Sequence, residues 1–313
     1  MPYSEPKPQT WFIKSSINPN FEYARQHCLD WALKFEFVKK DDRNYQRLEI
    51  SKIWMLTARA YPSATKEELC FATEWFTWLF CHDDICDDSQ LRNQLDSLLV
   101  LHKEFMAILL HKKMPGKSDP LHRGLLHIRE QLDDITAEKW IATFTEDVRL
   151  YLNATRWEAK NRRYNTINSV SSYNKMRLFS GAVYTCFDLI GMFHQIDVDV
   201  SFLKDLPFRQ MITMANNCVC WDNDIRGVAK ELKEGTTNLI TCLKHEHHIS
   251  IEEAIKRAQK MCDMEMEDFF EFKERLPKFD EQKSLQQYTA GLESLVQGHI
   301  DWYSDTERYT VKD

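Results

Sequence analysis

The stretch WLFCHDDICDDSQ, residues 78–90, places Asp83, Asp84, Asp87 and Asp88 directly after an apolar run that begins with Trp78, Leu79 and Phe80. On a helix Asp83 and Asp87 share one face, and Asp84 and Asp88 share the next. Like charges one turn apart repel, so such a cluster beside apolar bulk needs full solvation or a compensating cation. A facing carboxylate pair is a hard-oxygen site suited to Mg2+, which takes one or two carboxylates and completes its octahedron with water and phosphate oxygens. Taken alone, the stretch reads first as a solvated acidic helix end.

The rest of the chain sets these acids on a helical scaffold. Its 313 residues include only 8 Gly and 9 Pro, while Leu, Lys, Glu, Met and Ala are plentiful, a balance that favours helix over strand. The prolines fall in the first twenty residues or at the joints Pro62, Pro115, Pro120, Pro207 and Pro277, where they punctuate helices. Periodicity between them predicts helices near 19–40, 42–60, 65–87, 89–112, 119–134, 137–176, 182–195, 201–232, 237–246, 250–274 and 279–303. With no linker-like shift in composition and no repeat, the expectation is an all-α protein of about ten helices: an N-terminal segment over 1–18 and one domain over 19–313.

Charge and cysteine usage narrow the function classes. A formal charge of −7 and the lack of a basic, aromatic-interleaved helix argue against nucleic-acid binding. The 9 cysteines are odd in number, and Cys218 and Cys220 are too close for ordinary disulfide geometry, so free thiols in a reducing compartment are expected. The stretch MPYSEPKPQTWFIKSSINPN has no apolar core of signal-peptide length, and no membrane-length apolar run occurs. A cytoplasmic protein without a membrane span is expected, and a homodimer is one compatible assembly. Cys81, Cys86, Cys218 and Cys220 lack zinc-finger spacing and read as small apolar packing.

A second stretch, CVCWDNDIRGVAKELKEG at 218–235, again sets hard oxygens against an apolar run. Asn223, Gly227 and Glu231 follow at i, i+4 and i+8 along one helical stripe, flanked by Asp224 and Lys230. Glycine within a helix costs about 1 kcal/mol relative to alanine, so its place midway along the stripe suggests that room is needed there. Metals that hold a diphosphate also need basic partners. Arg177 in YNKMRLFSGAVY, beside the helix-interrupting Ser180 and Gly181, and Arg308 with Tyr309 in DWYSDTERYTV are the candidates.

Together these residues resemble the class I terpene synthases of the single-domain bacterial type. DDICDD matches that family's aspartate-rich motif in both of its spacings, and NDIRGVAKE matches its second metal motif. Arg177 stands 46 residues before Asn223, and RY begins 85 residues after it. WEAKNRR at 157–163 and GHIDWYSDTERY at 298–309 also look like the family. The resemblance covers about residues 60–310.

It implies a helical bundle around a central active-site cavity and a Mg2+-dependent cyclase acting on a linear isoprenyl diphosphate, with three Mg2+ bound. Farnesyl diphosphate is the first expectation and geranylgeranyl diphosphate the second. By position, Asp83 with Asp87 or Asp88 holds metal, as do Asn223 and Glu231. Gly227 stands where many members carry a metal-binding hydroxyl. Arg177, Lys230, Arg308 and Tyr309 grip the diphosphate. Ser180 and Gly181 sit at the helix break where a backbone carbonyl faces the cation. Phe76, Phe80, Phe179 and Trp302 are the expected cavity aromatics, whose faces stabilise positive charge.

Three rivals make different geometric demands. A metal phosphohydrolase of the HD type needs His27 and His82 to meet at one metal. A chain-elongating prenyltransferase needs a second DDxxD where this chain has NDIRG. A non-catalytic helical interaction protein leaves the acidic stripe solvated, with no basic residue opposite.

Overall fold

Capping residues place the helix starts. The computed structural model describes residues 11–40, 42–88, 94–116 and 118–308, the side chains of Asp87, Asp88 and Glu234 excepted. Its helices are α1 (Phe21–Lys34), α2 (Arg43–Ser51), α3 (Ile53–Ala60), α4 (Lys66–Asp88), α5 (Leu95–His111), α6 (Pro120–Ile135), α7 (Glu138–Tyr164), α8 (Val170–Ser180), α9 (Val183–Phe193), α10 (Ser201–Lys204), α11 (Leu206–Glu234), α12 (Leu239–His247), α13 (Ile251–Arg275) and α14 (Gln282–Asp305). No strand occurs among the described residues. Asp119 and Asn238 each close a capping box at the start of α6 and α12, and Asp42, Ser169 and Ser250 accept the usual backbone N–H at the start of α2, α8 and α13.

Three expected helices are each broken in two. The expected helix over 42–60 splits at Lys52, whose backbone is left-handed at φ 48°. The Ile50 and Ser51 carbonyls freed by this break are taken up from far along the chain, and Lys52 O, which caps α3, gains a further donor. The Trp302 indole donates to Ser51 O at 2.8 Å and Lys52 O at 3.2 Å, the Thr306 hydroxyl donates to Ile50 O and Ser51 O, and the Glu307 N–H donates to Ile50 O. The expected helix over 137–176 ends at Tyr164 because Asn165 turns left-handed at φ 49°, a conformation asparagine tolerates. The expected helix over 201–232 divides at Asp205, with Pro207 in the first turn of α11. The first helix is also shorter than expected, ending at Lys34 ahead of a left-handed Glu36.

Packing then gathers these helices around a cavity. α3 lies along α14, α1 along α4, and α11 between α13 and α14. The buried apolar core runs continuously from Ala24 to Trp302. Asn18 is fully buried, its side-chain amide donating to Tyr61 O and Ala64 O, so the segment before α1 is pinned to the turn between α3 and α4. All nine cysteines are free thiols.

Candidate active site

One cavity, about 1330 Å³ counting its open mouth, is walled by α3, α4, α7, α8, α9, α11 and α14. Its floor is apolar, with Leu56, Phe76, Leu79, Val183 and Leu295, and its rim carries Asp83, Asn223, Lys230, Glu231, Arg177 and Arg308. Polar rim and apolar floor thus come from the same helices, because α4 and α11 each run from an apolar stretch into their acidic ends. The Asp83 side chain is 57% exposed, as the mouth requires.

Arg177 is the hub of the rim. Its side chain is only 12% exposed. The guanidinium donates to Asp224 Oδ1 through Nε at 3.0 Å and to Asn223 Oδ1 through Nη2 at 2.9 Å, with Nη2 also ion-paired to Asp224 Oδ1 at 2.8 Å. Asp224 is itself fixed on its other oxygen by the Tyr173 hydroxyl at 2.8 Å and the Leu239 N–H at 3.0 Å. Asn223 further donates to the Tyr303 hydroxyl at 2.9 Å. Arg177 therefore occupies one of the two lone pairs of the side-chain oxygen that the sequence assigns to metal.

Glu231 folds back along α11. Its carboxylate accepts from Asn238 Nδ2 at 2.6 Å, and a Cβ on Gly227 would stand 2.8 Å from its Oε1. Gly227 thus leaves room for that carboxylate and, having no side chain, offers no side-chain ligand atom of its own, so a water would stand in for the family's hydroxyl. Burial, reinforced by the neighbouring Asp224 charge, pushes the Glu231 carboxyl well above the usual carboxylate range. A buried acid that resists ionisation in this way is stabilised by a cation delivered beside it. The donor set of Asp83, Asn223 and Glu231 is all hard oxygen, so these residues fit a divalent metal of the Mg2+ kind.

Arg308 reaches the rim by a route the sequence does not suggest. It donates to Asp84 Oδ1 at 2.7 Å, shares that carboxylate with Arg47 at 2.8 Å, and lies 4.7 Å over the Phe80 ring. Asp84 faces away from the main cavity and lines a second one, of about 1070 Å³ counting its open mouth, with Arg47 and Arg308. Asp87 and Asp88 fall on the last turn of α4 with side chains outside the described residues, and Tyr309 also lies outside them.

The helix break beside Arg177 is real, but its strain sits elsewhere. α8 ends at Ser180, Gly181 has an ordinary right-handed backbone, and Ala182 takes the left-handed conformation at φ 55°. Glycine is needed at 181 for closeness instead. A Cβ there would come within 2.5 Å of Cys220 Sγ on α11. Ser180, Gly181 and Ala182 all line the cavity.

Phe76, Phe80 and Trp302 line the cavity as expected, with Phe80 and Trp302 edge to face at 5.7 Å. Phe179 does not. Two residues beyond Arg177 it points to the opposite side of α8, where its ring packs on Tyr184 at 5.9 Å. Sequence reasoning missed Tyr151, Tyr173, His299 and Glu158 on the wall. Glu158 is raised by burial, against the Arg177 and Arg162 charges, and its only sequence signal is its place in WEAKNRR, one turn before Arg162.

The geometry also answers the rivals. His27 bonds Glu74 at 2.7 Å, whereas His82 bonds Tyr151 and His102, so the two histidines do not meet at one metal. Arg177 and Arg308 stand against the acidic stripe, contrary to a solvated interaction surface.

Residues 74–268 match the family described as terpene synthase family 2, C-terminal metal binding. The chain is 34% identical over 300 residues, 95% of its length and 91% of the relative's, to a (+)-T-muurolol synthase ((2E,6E)-farnesyl diphosphate cyclizing) of Roseiflexus castenholzii. It is 28% identical over 304 residues, 95% of its length and 89% of the relative's, to a 4-epi-cubebol synthase ((2E,6E)-farnesyl diphosphate cyclizing) of Streptosporangium roseum. Among solved structures, germacradien-4-ol synthase from Streptomyces citricolor shares the fold at a TM-score of 0.84 and 20% identity, covering 96% of this chain and 99% of that one. No described helix is long and apolar enough to cross a membrane.

Proposed function

The chain belongs to the terpene synthase family as a bacterial-type class I terpene cyclase, and on that premise we propose that it cyclises farnesyl diphosphate to a sesquiterpene hydrocarbon or alcohol with three Mg2+. The observation that carries the reading is the convergence of Asp83, Asn223, Glu231, Arg177 and Arg308 on the rim of one apolar cavity. The relatives named above are described as cyclising farnesyl diphosphate, which supports that substrate.

Asp83, Asn223 and Glu231 would hold the metal, with Asp87 or Asp88 assisting. Bound there, Mg2+ supplies Lewis-acid stabilisation of the charge that develops on the leaving diphosphate. Arg177, Lys230 and Arg308, with Tyr309, bind the same group, so the allylic C–O bond ionises without a nucleophile or a protonating acid. The prenyl chain lies along the apolar floor, away from water that would quench the cation. Phe76, Phe80 and Trp302 present aromatic faces to it, and Ser180 and Gly181 place backbone at the same wall. Residues 19–313 act as one catalytic domain.

The test is to incubate the purified protein and Mg2+ with geranyl, farnesyl and geranylgeranyl diphosphates separately and to analyse the volatiles by gas chromatography with mass detection. A cyclic C15 product from farnesyl diphosphate is expected. Only linear alcohols, or no product from any of the three, would overturn the reading.

A further inference from the structure

Behind the aspartate face of α4, three side chains with soft or borderline donor atoms meet in the protein interior. His82 and Cys86 lie one turn apart on α4, and His102 reaches them from α5. All three are buried, and their ligand atoms lie within 4.8 Å of one another. His82 Nε2 stands 3.1 Å from His102 Nε2 and 3.5 Å from Cys86 Sγ. Around a tetrahedral zinc ion, with bonds of about 2.05 Å to nitrogen and 2.3 Å to sulfur, the corresponding edges are about 3.3 and 3.6 Å. The two edges are therefore already within a few tenths of an ångström of coordinating distance.

We propose that His82, Cys86 and His102 form a second metal site, separate from the hard-oxygen rim, that takes a thiophilic late transition-metal ion of the Zn2+ kind and ties the aspartate-bearing end of α4 to α5. Imidazole and thiolate suit such an ion and suit Mg2+ poorly, so the two sites select different metals. Three ligands satisfy a trigonal ion, or a tetrahedral one with water in the fourth place.

The surroundings carry the proton bookkeeping. With the metal on both Nε2 atoms, each ring carries its proton on Nδ1, so only the ring that donates across the Nε2···Nε2 contact changes tautomer. On His82 that atom faces the Tyr151 hydroxyl oxygen at 2.7 Å, which can accept it and fix the ring. On His102 it faces Arg156 Nη1 at 3.4 Å, a long contact that Arg156 can release while keeping its bond to Asn153 Oδ1. The Cys86 thiol gives up its proton to solvent on binding, so affinity rises with pH. Tyr151 also lines the main cavity, so an ion at this site lies one side chain from the wall. The inference does not depend on which diphosphate the rim accepts.

Co2+ serves as the spectroscopic probe, added to the full-length protein in excess Mg2+ so that the carboxylate rim is already filled. A near-ultraviolet thiolate-to-cobalt charge-transfer band saturating at one ion per chain is expected, with Zn2+ abolishing it by competition. The band should persist in Cys81→Ser and vanish in Cys86→Ser. In His102→Gln and Cys86→Ser, Zn2+ affinity against a chromophoric chelator should fall about tenfold or more. A wild-type protein that binds neither ion in excess Mg2+ overturns the proposal whatever the variants do. So does a band retained in Cys86→Ser, which would place the metal on another thiol.

Discussion

Replacing Asp224 with asparagine tests the hub of the rim, because both oxygens of that carboxylate are engaged. Oδ1 accepts from Arg177 Nε and pairs with the charge on Nη2, and Oδ2 accepts from the Tyr173 hydroxyl and the Leu239 N–H. Asparagine has one carbonyl oxygen and one NH2 group, so whichever way it flips, its NH2 faces a donor. An unsatisfied buried donor costs about 1–3 kcal/mol. Breaking a buried ion pair from one side costs about 3–5 kcal/mol. Arg177 keeps its bond to Asn223 and its proximity to Glu158, which places the expected loss for Asp224→Asn at about 3 kcal/mol. Tyr173→Phe removes a single hydrogen bond to the same carboxylate and should cost about 1 kcal/mol. Urea unfolding followed by circular dichroism measures both. Turnover should fall as well in Asp224→Asn, since Arg177 loses the partner that aims it. The reasoning is refuted if Asp224→Asn unfolds within about 0.5 kcal/mol of Tyr173→Phe.

Asp83→Asn and Asn223→Ala should lose turnover with helix content unchanged, and wild-type activity in both would remove the metal assignment. Arg177→Ala should also lose turnover, but unlike those two it leaves Asp224 buried without its partner and should be destabilised by about 3 kcal/mol in the same urea assay. Gly181→Ala forces a Cβ onto Cys220 Sγ and should cost about 1–3 kcal/mol; adding Cys220→Ala should recover most of that, and strict additivity would contradict the contact. His27 is raised to about 9 by the Cys70 thiol and the Glu74 carboxylate against the opposing effect of burial. A raised folded pKa means that this stabilisation is complete below about pH 6.5 and is lost as pH rises through about 9. Stability should therefore fall by about 1–3 kcal/mol over that window, a slope that His27→Gln should flatten; an unchanged slope in the variant would assign the titration elsewhere.

The motif residues were legible because helical spacing groups them on shared faces and the resemblance to the family gives them roles. Asp83 and Asp87 share a face by spacing, Asn223 and Glu231 share a stripe, and the apolar residues before each acidic stretch predict a greasy floor under a charged rim. The three missed breaks have a common physical cause. At Lys52, Asn165 and Asp205 the loss of helical hydrogen bonds is compensated by groups outside the local sequence or by a single turn-forming residue, and a window of periodicity averages over both. Lys52 is the extreme case, since the carbonyls its turn releases are satisfied by Trp302, Thr306 and Glu307.

By itself, then, the sequence determined an all-α chain and the spacing within each motif it shares with its family, because each motif depends on residues within a few turns of one another. Only the tertiary structure decided which of those side chains face one another. It set Arg177 on Asn223 and Asp224, seated Arg308 on Asp84, turned Phe179 out of the cavity, made Gly181 a matter of closeness rather than of backbone freedom, and gathered His82, Cys86 and His102. Each of those outcomes depends on how two or more helices cross, and helix crossing is set by packing across the whole bundle rather than by any local spacing.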